Sequence, residues 1–226
     1  MSFSGIFIKF GEALHINQLQ ERGLIYCNSF HYFKNLQNDA MRADEFETAD
    51  FIATKDDVIL EIWPLDNPEK ITKIKTSKLL KQITSPFGNL FCLYSLDMTE
   101  MKEGDKIIID AKLIQNNDTF LIIKDAPQFL TRLKNGLEKR GGYWEHHVVE
   151  YIDFSNYYGE RSFFQKDKSL NYQQEFRVML GNSKDEPISF EIGDISDISI
   201  KGSTSVLDRA FFVKKGKDLL YVEARE

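Results

Sequence analysis

Residues 172–180 read Tyr-Gln-Gln-Glu-Phe-Arg-Val-Met-Leu and alternate as a β-strand does. Successive strand residues point to opposite faces. Tyr172, Gln174, Phe176, Val178 and Leu180 are therefore expected on a core face, with Gln173, Glu175, Arg177 and Met179 on the other. The second set presents an amide, a carboxylate and a guanidinium in a row. Such a row serves as a site where a cleft lies over it, and as the wet side of an antiparallel sheet where none does.

Working outward, short strands are predicted after it at 188–192, 195–200 and 219–222, with Gly and Asp turns between them. Upstream, 147–152 is predicted as a strand. Before it, a helix capped by Asp125, with Pro127 in its first turn, carries Phe129, Leu130, Leu133 and Leu137 on one stripe until Gly141 and Gly142 stop it. The apolar run 90–96 reads as a central strand, with further strands at 107–110 and 119–124. Residues 58–63 read as a strand ended by Pro64, and the lysine-rich segment 68–82 as edge structure or a connecting helix. The first thirty-five residues or so give a strand at 5–10, a helix at 12–22 with Leu14, Leu19 and Ile16 on its apolar side, and Gly23 as a left-handed cap. A short strand at 24–27 and an aromatic helical turn with Phe30, Tyr32 and Phe33, capped by Asn28 or Ser29, complete them. The polar stretch 38–50 surrounds Phe46 with charge, and a helix there would let Arg42 pair with Asp39 or Glu45. No repeat or linker interrupts the pattern, so the expectation is one α+β domain over 1–226, with the long helix packed on a sheet.

A chain of 226 residues that is 42% hydrophobic has ample material for a core. No apolar run reaches the length of a bilayer span, and the first residues lack a basic region followed by an apolar one. The expectation is a cytoplasmic protein with no membrane partner. Cys27 and Cys92 lie in apolar runs and read as buried free thiols. A net charge of −6 argues against strong non-specific nucleic-acid binding, although Lys70, Lys73, Lys75, Lys78 and Lys81 form a local basic cluster.

Familiar catalytic patterns are missing. His146 and His147 are adjacent, so they diverge on a strand, and no other His or Cys stands at ligand spacing, so no metal is expected. There is no Gly-x-Ser-x-Gly elbow and no phosphate-binding glycine loop. A metal-dependent nuclease would have to assemble Asp44, Glu45, Glu47 and Glu175 through the tertiary fold.

Two resemblances add to this reading. Lys9-Phe10-Gly11, His15, Leu19, Gly23-Leu24-Ile25-Tyr26, Asn28-Ser29, Tyr32-Phe33 and Arg42-x-Asp44-x-x-Glu47 resemble a widespread group of uncharacterised bacterial and phage-associated proteins. Tyr172–Arg177 and Gly193-Asp-Ile-Ser-Asp-Ile198 look like that group's second half, so the likeness spans most of the chain. More remotely, Gln173-x-Glu175 is similar to the Gln/Glu-x-Glu motif of ADP-ribosyltransferases, which split the nicotinamide bond of NAD. That resemblance implies a split mixed or antiparallel sheet and NAD as substrate. Glu175 would stabilise the oxocarbenium-like centre, Gln173 would position the acceptor, and Arg177 would orient Glu175 or hold a phosphate. Lys9 or His15 would stand for that family's first-strand basic residue, and Tyr26, Tyr32 or Phe33 for its nicotinamide-stacking ring, with Arg42 as a further cofactor contact. Ser203-Thr204-Ser205 follows Glu175, whereas the family's comparable motif precedes it. The implied function is a toxin or phage-defence effector that transfers ADP-ribose to a macromolecule, protein rather than nucleic acid, or hydrolyses NAD. A non-catalytic nucleotide- or protein-binding module is the alternative from a different class.

Overall fold

The computed structural model describes residues 5–35, 44, 46–47, 49–54, 58–67, 69–76, 78–82, 88–99, 101–182, 184–216 and 218–223. Along the chain, β1 (Gly5–Gly11), α1 (Ala13–Arg22) and β2 (Leu24–Ser29) lead into α2 (Phe30–Asn35). Four strands follow: β3 (Ala49–Ala53), β4 (Val58–Ile62), β5 (Thr72–Thr76) and β6 (Leu79–Gln82). Then come β7 (Asn89–Asp97), β8 (Lys106–Ile107), α3 (Ala111–Ile114), β9 (Thr119–Ile123) and α4 (Ala126–Arg140). The strands β10 (Trp144–Val148), β11 (Glu150–Ile152), β12 (Tyr158–Glu160) and β13 (Gln165–Asp167) precede β14 (Glu175–Leu180). The chain ends with β15 (Ile188–Glu191), β16 (Ser199–Ser203), β17 (Ala210–Lys215) and β18 (Asp218–Glu223). It is a mixed α+β fold with few helices, and among the described residues every strand pair except β11–β13 is antiparallel.

Chain contacts define two compact units, one of residues 1–29, 87–148 and 172–226, the other of 30–86 and 149–171. The first holds the large sheet, ordered β10-β14-β7-β1-β9-β16, with β2 joined to β7 and β15. The apolar run that predicts a central strand is β7, which β14 lines along one edge. Its other edge is shared: Ser95, Leu96 and Asp97 pair with β1, whereas Asn89 and Leu90 pair with β2. The sheet splits between those two segments.

Core residues lie on both sides of this sheet. On one face Phe7, Phe91, Leu93, Phe176, Val178 and Leu180 pack with Ile16 and Leu19 of α1 and Phe129, Leu133 and Leu137 of α4. The opposite face gathers Ile6, Ile8, Tyr94, Leu96, Phe120 and Ile122 around Phe212 and Leu207. The α4 stripe and its Asp125 cap are as expected, the Asp125 carboxylate accepting from Gln128 N at 2.9 Å. Gly23 takes the left-handed cap at φ 61°, as expected. Leu14, by contrast, is exposed, because Ile16 and Leu19 alone hold the buried side of α1.

In the second unit, β12-β3-β6 form a small sheet around Phe46, Ala49, Ile52 and Phe154. The hairpin β4–β5 pairs with no other described strand. The segment expected as edge structure or a helix at 68–82 is thus β5 and β6.

Several boundaries differ from expectation. Residues 107–110 are strand only at their start, because Asp110 caps α3 by accepting from Lys112 N at 2.9 Å. The run 147–152 belongs to two strands in different sheets, β10 and β11. The strand expected from Tyr172 begins at Glu175: a 3-10 segment, Lys168–Gln173, precedes it, and Gln174 adopts φ 40°. Asp39, Arg42 and Glu45 lie outside the described residues, as does most of 38–50.

Candidate functional site

A left-handed residue breaks alternation, and Gln174, just before β14, is held in that conformation by two donors. The backbone N–H and the hydroxyl of Ser95 both reach its carbonyl, at 2.7 and 2.9 Å. From Glu175 onward the alternation is regular. Phe176, Val178 and Leu180 enter the core, so Glu175, Arg177 and Met179 project from the opposite face. Gln173 falls before the kink and is buried, with its amide 3.4 Å from the Tyr172 hydroxyl, whose ring Lys112 covers at 4.8 Å. The expected alignment of Gln173 with Glu175 along one strand face is therefore corrected: the turn at Gln174 separates them.

Arg177 is not on a wet face either. Its side chain is only 2% exposed, and its Nε donates to the Glu175 carboxylate at 2.8 Å, which stays 15% exposed. Burying a guanidinium is tolerated where its charge is met. The pair lies between two strands: Arg177 stands opposite Cys92 on β7 and opposite His147 on β10, and Glu175 opposite Tyr94. Burial, then the Asp110 carboxylate, pushes the Tyr94 hydroxyl up to about 12, so it is a neutral phenol at neutral pH.

The structure adds residues that the sequence reading did not combine. Tyr143, just before β10, alternates with Glu145 and His147 of that strand, and the Tyr143 hydroxyl donates to Glu145 Oε2 at 2.8 Å. His147 Nε2 lies 2.9 Å from Glu145 Oε1. The spacing Tyr-x-Glu-x-His was the available signal, hidden because the strand was expected to start at His147. His146 turns to the core face, as adjacent strand residues must, and packs against Phe176 at 5.4 Å and Trp144 at 5.9 Å.

The expected cofactor residues scatter. Lys9 lies on the face of Phe7, opposite that of Glu175, since Phe7 packs against Phe176 at 4.7 Å. Its ammonium donates to the Cys92 carbonyl at 2.8 Å and sits 5.0 Å from the Phe91 ring centre. That carbonyl belongs to the stretch of β7 between its pairing with β1 and with β2. Lys9 therefore supplies a donor where the sheet splits. His15 is exposed on α1, 4.0 Å from Glu12. Tyr26 is exposed on β2 opposite Ser189. Tyr32 and Phe33 form an edge-to-face pair at 5.4 Å on α2 of the other unit. Arg42 lies outside the described residues. Of the expected set, the structure brings together Glu175 and Arg177.

The second unit has its own charged cluster. Asp44 accepts from Phe46 N at 2.9 Å and from Arg161 at 3.1 Å, and Glu47 lies 3.9 Å from Arg161. All three are buried, as is Lys166. Burial beside the Glu47 carboxylate raises Asp44 above the usual carboxylate range, and Arg161 opposes that rise without cancelling it. The cluster closes the turn at 44–47 against Arg161, far along the chain, and Arg161 and Lys166 are partners that sequence reasoning missed.

Among the described residues no group of three or more His, Cys, Asp or Glu is placed to hold a metal ion. An open depression of about 560 Å³ in the first unit lies between Ala111 and Ile114 on one side and Ser203, Thr204 and Ser205 on the other, and Glu175 is not among the residues that line it. Cys27 is buried, and that burial first, then neighbouring Cys92, pushes its thiol up to about 12, so it is an inert core thiol. Comparison with protein-family models, curated proteins and solved structures finds no match.

Proposed function

We propose that the Glu175 face of the large sheet handles NAD, cleaving its nicotinamide bond in the manner of an ADP-ribosyltransferase and passing ADP-ribose to a macromolecular acceptor or to water. The observation that carries this reading is the Glu175 carboxylate: it stands at the head of a strand, oriented by a buried guanidinium, and keeps part of its surface open. A fixed anion on a rigid element is what a developing ribosyl cation needs, because preorganised charge stabilises a transition state without reorganisation. Glu175 is the stabilising carboxylate in this scheme and Arg177 its orienting partner. Gln173 is given no acceptor role, since it is buried beyond the kink, and Lys9 is given to the sheet. An effector acting on a protein target within the cell that makes it is the biological role that suits this chemistry.

The test is nicotinamide release from NAD by the purified chain, with and without cell lysate as a source of acceptors. Glu175→Gln preserves shape and a hydrogen-bond acceptor for Arg177, and the expected loss is about 100-fold or more in release. A variant as active as the parent would sink the assignment. A non-catalytic nucleotide-binding module is the second reading, favoured by the diversion of Lys9 to the Cys92 carbonyl. In that case the parent protein binds NAD without releasing nicotinamide, and Glu175→Gln leaves binding within a few-fold.

A further inference from the structure

The hairpin β4–β5 of the second unit carries a concentration of exposed apolar side chains. Ile59, Ile62, Trp63, Leu65, Ile71 and Ile74 are all exposed, Leu65 almost fully at 98%. Residues opposite one another on paired strands share a face, and the faces alternate along each strand. Leu60 stands opposite Ile74 and Ile62 opposite Thr72, so one face of the hairpin is largely apolar. The other holds Ile59 opposite Lys75 and Glu61 opposite Lys73, with an ion pair between the last two at 2.6 Å. Among the described residues β4 forms ladder bonds with β5 alone, so the backbone groups along its outer edge stand unpaired. A two-stranded hairpin is marginal in water and gains from a third strand, and an unpaired edge is a template for one. Charge narrows the occupant. Between Val58 and Thr76, Lys70, Lys73 and Lys75 balance Glu61, Asp66 and Glu69. The hairpin thus has no excess charge with which to hold nucleic acid or an anionic lipid surface, and a protein strand is the partner that fits it.

We infer that β4 is the interface between two copies of this chain, which pair antiparallel along that edge to make a four-stranded sheet, β5-β4-β4-β5. A two-fold contact puts the same patch on both copies, so each edge is set against itself. The axis runs normal to the sheet and keeps each face with its own kind, so the pairing is centred on a residue. Centres at a strand end leave a single residue of overlap. The β5 edge is blocked by its lysines: centred on Ile74 it sets Lys73 against Lys75 of the second copy twice over, and centred on either lysine it sets that lysine against itself. On the β4 edge, centring on Glu61 brings two carboxylates face to face, and centring on Ile59 carries Glu61 and Ile62 past the end of the facing strand. Centring on Leu60 has neither fault. Leu60 then meets Leu60, Ile59 meets Glu61 and Ile62 meets Val58, and the apolar face continues from one copy into the other. The contact pairs the backbone groups of both outer edges and shields Ile62, 45% exposed in the single chain, between β5 and the second copy's β4.

The experiment is molar mass by light scattering on a sizing column, with the full chain across a dilution series. At about 100 µM the parent should show twice the 26.3 kDa of one chain, and it should dissociate on dilution. Ile59→Glu sets a carboxylate opposite Lys75 within its own hairpin, where it attracts, and opposite Glu61 of the second copy, where it repels. Symmetry makes that repulsion occur twice. Ile59 is exposed, so its replacement empties no core, and the far-UV circular dichroism should match the parent's. The dissociation constant should rise about tenfold or more. Adding Glu61→Gln to this variant removes the repulsion and should bring the constant back to within about threefold of the parent's. Leu14→Glu, the same charge at an exposed residue of α1 in the other unit, should leave it unchanged. A parent chain with the mass of one copy at about 100 µM overturns the inference. So does a dimer that Ile59→Glu leaves as tight as the parent's, since another surface then builds it. A defect that Glu61→Gln does not relieve overturns the Leu60-centred register.

Discussion

Lys9 shows how a residue that resembles a cofactor contact can belong to the sheet. Its ammonium reaches the Cys92 carbonyl at the point where β7 passes from β1 to β2. Taking away one partner of a part-buried hydrogen bond strands the other, at a cost of about 1–3 kcal/mol. Lys9→Met should therefore lower the urea unfolding free energy by about 1–2 kcal/mol while NAD affinity stays within twofold; a stable variant with weakened NAD binding would return Lys9 to the site. Asp44 makes a second residue-scale case. Its folded-state pKa is raised, so the native state holds a proton more readily than the unfolded chain does, and Asp44 opposes folding at neutral pH. As pH falls through that raised value towards the ordinary carboxylate range, the opposition is relieved. Urea midpoints of the parent and Asp44→Asn at steps from pH 7 to pH 4 should show the parent gaining on the variant as the solution is acidified. Carboxylates held low, such as Glu145 and Asp153, push the other way but are common to both proteins and cancel. The opposite trend would mean that Arg161 outweighs burial at Asp44. Sequence made Glu175, Arg177 and the Asp44–Glu47 pair visible as charged residues near apolar ones. It could not show that Arg177 is buried or that Arg161 closes on Asp44, because those facts depend on contacts between distant parts of the chain.

Elements with a long period were legible. The α4 helix shows four apolar positions on one stripe, a capping Asp and an early Pro, and these local signals agree with its packing. The strand β7 announces itself by an apolar run, residues 90–96, that only Ser95 interrupts and that is largely buried on both faces. Legibility fails where a tertiary partner sets the ending. β14 is shortened because Ser95 holds the Gln174 carbonyl, and β17, though apolar, exists as the partner of both β8 and β18. The end of α1 combines the two situations. Gly23 was readable as a cap, but a Cβ there would fall 2.2 Å from the Gly193 carbonyl oxygen and 2.6 Å from Ile192. Ile192 N donates to the Gly23 carbonyl and Ile195 N to that of Gln20, so the helix end is tied to the chain at 192–195. Gly104 also has positive φ, at 83°, yet has nothing within 4 Å of the same added atom. Gly104→Ala should cost about 1 kcal/mol of backbone strain, and Gly23→Ala at least about 2 kcal/mol through strain plus the clash. Equal losses in thermal unfolding would mean that the 192–195 segment moves aside without cost.

At the scale of the whole molecule the chain is interleaved, and this is what single-sequence patterning conveys least. It leaves the first unit after Ser29, returns at 87, leaves again after Val148 and returns at 172. Neither unit is a continuous segment, and the sequence carried no linker at any of the crossings. The consequence concerns the hairpin β4–β5, whose connecting loop exposes Trp63, Leu65 and Ile71. A cut in that loop divides the chain into an N-terminal piece with β1, α1, β2, α2, β3 and β4 and a C-terminal piece with the rest. Yet β1 lies between β7 and β9, paired to each over at least four residues, and β2 pairs with β15. The first piece also contributes Phe7, Ile16, Leu19, Ile25 and Cys27 to the core beneath α4. A central strand with ladders on both sides and an apolar helix against the core does not leave when one peptide bond of the hairpin is broken, since the ladders that join the two pieces in the large sheet do not involve the loop that is cut. A protease site placed between Asp66 and Asn67 should, once cleaved, give two bands on a denaturing gel but a single species of parent size in native gel filtration. The nicked protein should keep the parent's rate of nicotinamide release, because Glu175 and Arg177 both reside in the C-terminal piece and the strand that supports them stays in place. Separation of the fragments without denaturant would mean that the central position of β1 contributes less than its two ladders imply, and that the large sheet depends on continuity of the chain through the hairpin.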